Sequence, residues 1–142
     1  MRILKYTGEE IFSRPEIVKR LKFLTNGGWG RHRVGSAFMD DLEYRRPGTY
    51  FLAWESGRII AWGMMCLRYD NGRYLAEDPR QIYQFGCYVG AKFRRLGIAS
   101  KLATRALAYS KETNVKLIAC PWDHKSSMLY QFLSMDTAPY WS

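Results

Sequence analysis

The segment from Ile82 to Cys120 constrains the fold more than any other. An eight-residue β-rich run, Ile82–Val89, leads into a glycine-containing loop, Gly90–Gly97. A helical stretch over Ala99–Lys111 follows, with Leu102, Ala103, Ala106 and Leu107 facing inward and Lys101, Thr104, Arg105 and Ala108 outward. A short apolar strand, Lys116–Cys120, is ended by Pro121. From Gly90 to Lys111 there are six bases (Lys92, Arg94, Arg95, Lys101, Arg105, Lys111) and no acid. A strand, a basic loop and a helix N-terminus together make an anion site, because first-turn N–H groups lack helical acceptors and the helix dipole favours negative charge. Gly97 admits close backbone approach there, Ala99 keeps the helix start uncrowded, and Arg94 and Arg95 add bidentate donors.

The rest of the chain reads as one mixed domain. Arg2–Tyr6 alternates like a first strand. Ser13-Arg14-Pro15-Glu16 has the spacing of a capping box leading into a helix with Ile17, Val18, Leu21 and Leu24 on one face, which Asn26-Gly27-Gly28 should stop. A weaker helix is expected over Ala37–Tyr44, and Pro47-Gly48 breaks it. Thr49–Glu55 and Ile59–Tyr69 are β-rich and joined by Ser56-Gly57-Arg58; Asp70-Asn71-Gly72-Arg73 is a second turn. Gly86 inside Ile82–Val89 suggests a bulge or a close backbone approach. Ser126–Met135 closes the order as a helix carrying Met128, Leu129, Phe132 and Leu133. Strands and helices intermix, so the fold class is α+β, or α/β layered, with one sheet.

Composition narrows the classes of function. The 142 residues carry 22 aromatics and a net charge of +9, and 47% are apolar, which suits one globular domain over residues 1–142 and excludes a disordered basic tail. The longest apolar run, Ile59–Leu67, is nine residues, well short of the ~20 a bilayer needs, and the N-terminus has no signal-peptide pattern. Cys66, Cys87 and Cys120 are odd in number and two lie in apolar runs, so buried thiols in the cytoplasm are expected. Cys120 and His124 show no zinc-module spacing, and no metal is expected.

Arg94-x-x-Gly97-x-Ala99 resembles the Arg/Gln-x-x-Gly-x-Gly/Ala motif of the GNAT superfamily, the acyl-CoA-dependent N-acyltransferases. Val89 stands five residues before Arg94, as in that family. Asp123, Ser126, Tyr130, Ser134 and Met135 fall on the Asn, Ala, Tyr, Gly and Phe positions of its later Asn-x-x-Ala-x-x-x-Tyr-x-x-x-Gly-Phe segment. The resemblance covers residues 82–135 position by position, and the order of elements before it more loosely. It implies a mixed, mostly antiparallel sheet flanked by helices, with a shortened C-terminal strand region in which Thr137–Trp141 supply one short strand at most.

The same resemblance implies a donor, acetyl-CoA. Backbone groups of Arg95, Leu96, Gly97, Ile98, Ala99 and Ser100 would cradle its pyrophosphate beside Arg94. Pantetheine would pair with exposed backbone at Cys87, Tyr88 and Val89, with Asp123 nearby. Tyr130 would protonate the departing thiolate while an amine attacks the thioester directly in a ternary complex. The chain departs from the family in that Asp123 replaces the usual Asn, keeping a capping side chain but adding negative charge near the site, and in that Ile82–Val89 holds no Glu or Asp to act as base. Gln84 or Tyr83 holding a water, or Glu77 or Asp78 reaching in, are the substitutes. Gly27-Gly28-Trp29-Gly30-Arg31-His32-Arg33 falls where the family builds its acceptor pocket, making Trp29, Arg31 and Arg33 acceptor candidates. Arg interleaved with Trp suits an acidic acceptor such as tRNA, DNA or a protein. The short C-terminus leaves the acceptor side open or completed by a second subunit in a homodimer. The alternative is a catalytically silent acyl-CoA or nucleic-acid binding module on the same fold.

Overall fold

The structure, a computed structural model, describes residues 1–29, 48–67, 69–70, 73–74, 82–119 and 136–137. In chain order the elements are β1 (Arg2–Thr7), α1 (Gly8–Phe12), α2 (Pro15–Trp29), β2 (Gly48–Glu55), β3 (Arg58–Leu67), β4 (Tyr69–Asp70), β5 (Arg73–Tyr74), β6 (Ile82–Val89), a 3-10 turn (Ala91–Phe93), α3 (Ile98–Glu112), β7 (Lys116–Ala119) and β8 (Asp136–Thr137). The main sheet has the order β1-β2-β3-β6-β7-β8. Its first four strands pair antiparallel, whereas β6–β7 and β7–β8 are parallel. This is the mixed, mostly antiparallel sheet with helices on its flanks that the sequence led us to expect, and β8, at two residues, is its short last strand.

Period-two alternation sorts the strand side chains between two cores. Tyr50, Leu52, Trp62, Met64 and Tyr88 meet Ile11, Ile17, Leu21 and Leu24 of α1 and α2. Phe51, Ala53, Ala61, Met65 and Phe85 meet Ile98, Leu102, Ala103 and Ala106 of α3 on the other face. Both faces of β2 and β3 are covered, which is why their sequences read as continuous apolar runs. The edge strand β1 packs Ile3 on the α3 core and Tyr6 on the α1–α2 core and leaves Arg2, Lys5 and Thr7 exposed.

Gly63 marks the tightest packing. A Cβ built there would lie 2.9 Å from Cε2 of Phe85, whose ring is fully buried and cannot swing away. Gly63→Ala should therefore overpack the α3 face and cost about 1–3 kcal/mol in a urea unfolding experiment, the range typical of overpacked cores.

Three local expectations change. The capping box belongs to Thr7 and Glu10, one helix earlier. Glu10 N–H donates to Thr7 Oγ1 at 3.1 Å and Thr7 N–H to Glu10 Oε1 at 3.2 Å. Thr7-Gly8-Glu9-Glu10 has the same T-x-x-E spacing that Ser13–Glu16 offers. Ser13 instead closes α1, and α2 starts at Pro15, whose missing N–H costs nothing at the first helical position. Asn26-Gly27-Gly28 does not stop α2, which runs on to Trp29, since interior glycine costs about 1 kcal/mol relative to Ala and does not block helix geometry.

The bulge, too, is elsewhere. β6 stays in unbroken register with β3 through Met64↔Gly86. The irregularity lies opposite Ala53/Trp54, where the register steps from Ala53↔Ala61 to Trp54↔Ile59 and leaves Ile60 as the extra residue. Ile60 and Ala61 consequently both face α3, while Ile59 faces α2. The β2–β3 turn is a two-residue hairpin with Ser56 and Gly57 at φ 50° and 75°, both positive as the twist of the strands favours. The expected helices over Ala37–Tyr44 and Ser126–Met135 lie outside the described residues. Among the described residues no helix is long and apolar enough to cross a membrane.

Candidate donor-binding site

The bulge fixes where β6 leaves the sheet. Gly90 N–H donates to Ile60 O at 2.9 Å, and a Cβ on Gly90 would lie 3.0 Å from that same oxygen and 3.1 Å from Leu24 Cδ2. A side chain here would press on β3, α2 and Phe93 at once. Phe93 N–H then donates to Gly90 O at 2.8 Å, closing the 3-10 turn, and the Phe93 ring packs on the α3 core. Arg94 is extended, and its Nε donates back to Val89 O at 3.3 Å.

The next three residues shape the cradle. Arg95 is left-handed (φ 65°), and Gly97, the residue before α3, is left-handed again (φ 77°). Nothing lies within 4 Å of a Cβ built on Gly97, so its backbone conformation, not crowding, calls for glycine. Leu96 between them is 65% exposed, while Ile98 is buried and anchors the helix start. Lys101 N–H donates to Gly97 O at 3.1 Å, which closes the first turn and leaves the amides of Ile98, Ala99 and Ser100 without helical acceptors. Among the described residues no side chain caps this end, and its first turn holds no acid. Arg94, Arg95 and Lys101 are exposed beside it, whereas Lys92 lies in the 3-10 turn, Arg105 further along α3 and Lys111 in its last turn. Uncapped amides, the positive end of the helix dipole and exposed cations suit a phosphate group.

The parallel ladder between β6 and β7 runs from Ile82↔Lys116 to Phe85↔Ala119, and Gly86–Val89 continue β6 beyond it toward the loop. Side chains on this stretch are otherwise engaged: Tyr88 is buried and stacked on Trp62 at 5.2 Å, and Cys87 and Val89 pack against the α3 core.

Of the residues singled out in the sequence, Arg94–Ser100 and Cys87–Val89 come together at the end of β6. Tyr130, Asp123, Arg31, Arg33, Glu77 and Asp78 lie outside the described residues. Gln84 pairs by its backbone with Cys66 and Ile118, and Trp29 ends α2, but their side chains also fall outside the described set. Tyr83 is half-buried against the α3 core. Two features had no sequence signal: the left-handed Arg95, a conformation unusual for a non-glycine residue, and the Ile60 bulge that pins Gly90.

A family model described as acetyltransferase (GNAT) family matches residues 15–133. No curated protein matches the sequence. Among solved structures, an aminoglycoside 6'-N-acetyltransferase from Acinetobacter haemolyticus superposes with a TM-score of 0.62 at 19% identity, covering 96% of this chain and 91% of that one. A GNAT family acetyltransferase from Brucella melitensis, in complex with acetyl-CoA, gives 0.64 at 14% identity, over 93% and 81%. A ribosomal-protein-alanine N-acetyltransferase from the same organism gives 0.61 at 17%, over 94% and 83%. With the family match spanning most of its length, and with this fold, the chain belongs to the GNAT family of acetyltransferases.

Proposed function

We propose that the chain, acting as one domain in the cytoplasm, transfers the acetyl group of acetyl-CoA to a primary amine. The observation that carries this reading is the uncapped, acid-free start of α3 at the end of β6. The amides of Ile98, Ala99 and Ser100 hold the pyrophosphate, Arg94 and Arg95 neutralise it, and the backbone at 87–89 aligns the pantetheine. Acetyl-CoA supplies a thioester activated for attack: the amine nitrogen bonds to the carbonyl carbon as the C–S bond breaks. Tyr130 hands its phenolic proton to the thiolate, and a water held by Gln84 takes the proton of the amine. Most of the acceleration then comes from positioning two reactants in one site.

The acceptor is a separate question. An aminoglycoside carries several ammonium groups, and a protein of net charge +9 repels such a polycation at long range. We assign this chain an amine borne on a neutral or acidic carrier, a tRNA, DNA or protein, with Trp29, Arg31 and Arg33 on the acceptor side. Thiol release from acetyl-CoA, followed with a panel of aminoglycosides, peptide N-termini and aminoacylated RNA, tests it. Turnover should favour peptide or RNA amines and weaken as salt rises. No acetyl-CoA-dependent release with any amine would contradict the transferase reading. Acetyl-CoA binding without turnover would point to a silent binding module, which the lack of Glu or Asp in Ile82–Val89 favours.

A further inference from the structure

A second cleft lies on the other flank of the Gly90–Phe93 segment, between α2 and the β2–β3 turn, with a volume of about 500 Å³. The sheet order β3-β6-β7 puts it on the β3 side of β6, away from β7. Three cations line it: Arg20 from α2, Arg58 from the start of β3 and Lys92 from the 3-10 turn. Glu55, the carboxylate on the same wall, has Oε2 3.1 Å from the Met1 amino group and is already committed.

Arg20 is held in place. Its Nε donates to Ile59 O at 2.9 Å, a carbonyl adjoining the bulge, and its guanidinium carbon stands 5.3 Å from the centroid of the Phe23 ring. Burial and the charge of Arg58 both draw the Arg20 guanidinium below its ordinary pKa. Among the described residues neither arginine has a carboxylate partner, and the charge of Arg58 acts on Arg20. The rest of the lining is mostly apolar: Leu24 and Phe93 contribute to it, and Phe23 leaves 64% of its surface exposed at the rim. Large apolar side chains beside converging cations are the usual composition of a small-ligand pocket, and this volume falls within the ordinary range for one. Arginine in particular joins planar oxyanions bidentately and stacks on flat rings.

We propose that this cleft is a second ligand site, distinct from the donor cradle, which binds a small aromatic oxyanion. The ring of the ligand lies against Phe23 and Phe93, and its phosphate or carboxylate sits among Arg20, Arg58 and Lys92. Two sources share this chemistry, a nucleoside monophosphate and an aryl carboxylate. The site does not depend on acetyl transfer, so it stands or falls separately from the proposed function.

Calorimetric titration of the full chain tests it, with AMP, phenylpyruvate and inorganic phosphate as probes, before and after saturation with CoA. Saturation matters because AMP resembles part of CoA and could enter the donor cradle. AMP or phenylpyruvate should bind the CoA-saturated protein in a saturable one-to-one manner, and the tighter of the two identifies the source. Arg58→Glu should weaken that binding at least tenfold and Phe23→Ala should weaken it severalfold, both with CoA affinity unchanged as the check on folding. The proposal is overturned if neither organic anion binds once CoA is present, if Arg58→Glu binds them as the parent does, or if inorganic phosphate binds as tightly as either.

Discussion

Tyr130→Phe should lower kcat for acetyl transfer by about a hundredfold or more while changing the CoA dissociation constant less than about twofold. The substitution removes one oxygen and keeps the ring, so packing is preserved and only the proton donor is lost. General acid catalysis of this kind typically contributes 10²–10⁴-fold. A group used only in the transition state lowers kcat and kcat/KM together, whereas a group used for donor binding raises KM for acetyl-CoA. Steady-state kinetics at saturating acceptor, paired with a direct CoA titration, separates the two. Equal losses in binding and turnover would make Tyr130 a donor contact and leave the thiolate to be protonated by another group.

Trp62→Ala should cost about 3–5 kcal/mol of folding stability, the usual loss for truncating a buried Trp or Phe. Trp62 is fully buried at the centre of the sheet, stacked on Tyr88 at 5.2 Å and on Tyr50 at 6.2 Å, with interplanar angles of 23° and 22°. Three adjacent strands, β2, β3 and β6, therefore share one aromatic stack on the α1–α2 face. Removing its middle ring leaves a cavity that neither neighbour can fill without leaving its own strand register. Domains of this size have a total stability of only 5–15 kcal/mol, so the variant should show a large fall in urea midpoint. Trp62→Phe keeps the stack and should lose much less. A loss below about 1 kcal/mol in Trp62→Ala would mean that the two helices, not the stack, hold these strands in place.

The strands and α3 were legible because burial imposes a simple pattern on them. Ile82–Val89 is bounded as expected, and α3 buries Leu102, Ala103 and Ala106 and exposes Lys101, Thr104, Arg105 and Ala108 as its spacing predicts. The make-up of the loop was legible too, since glycine stands at the left-handed position before α3 and no acid lies in its first turn. Competing local signals were harder to rank. Two T/S-x-x-E spacings lie six residues apart, and only the tertiary fold selects Thr7 over Ser13. The bulge at Ile60 has no signal, because Ile59 and Ile60 are both buried and an apolar pair reads alike in or out of register. The cleft of Arg20, Arg58 and Lys92 joins three segments distant in sequence, so no spacing could announce it.

The central claim is that the start of α3 holds the pyrophosphate of the donor, and calorimetric titration with CoA of the parent and of Gly97→Asp tests it most directly. A Cβ at position 97 meets open space, so the variant keeps its fold at the cost of local backbone strain, while its carboxylate stands where the helix dipole would hold the pyrophosphate. Like charges about 4 Å apart repel by about 1–4 kcal/mol between full and partial solvent screening, and ~1.4 kcal/mol is a factor of ten in affinity. The account predicts saturable one-to-one binding of CoA to the parent, at least tenfold weaker in Gly97→Asp, with the gap narrowing as salt rises. Binding of equal strength in the two proteins, or no CoA binding by the parent, would contradict it.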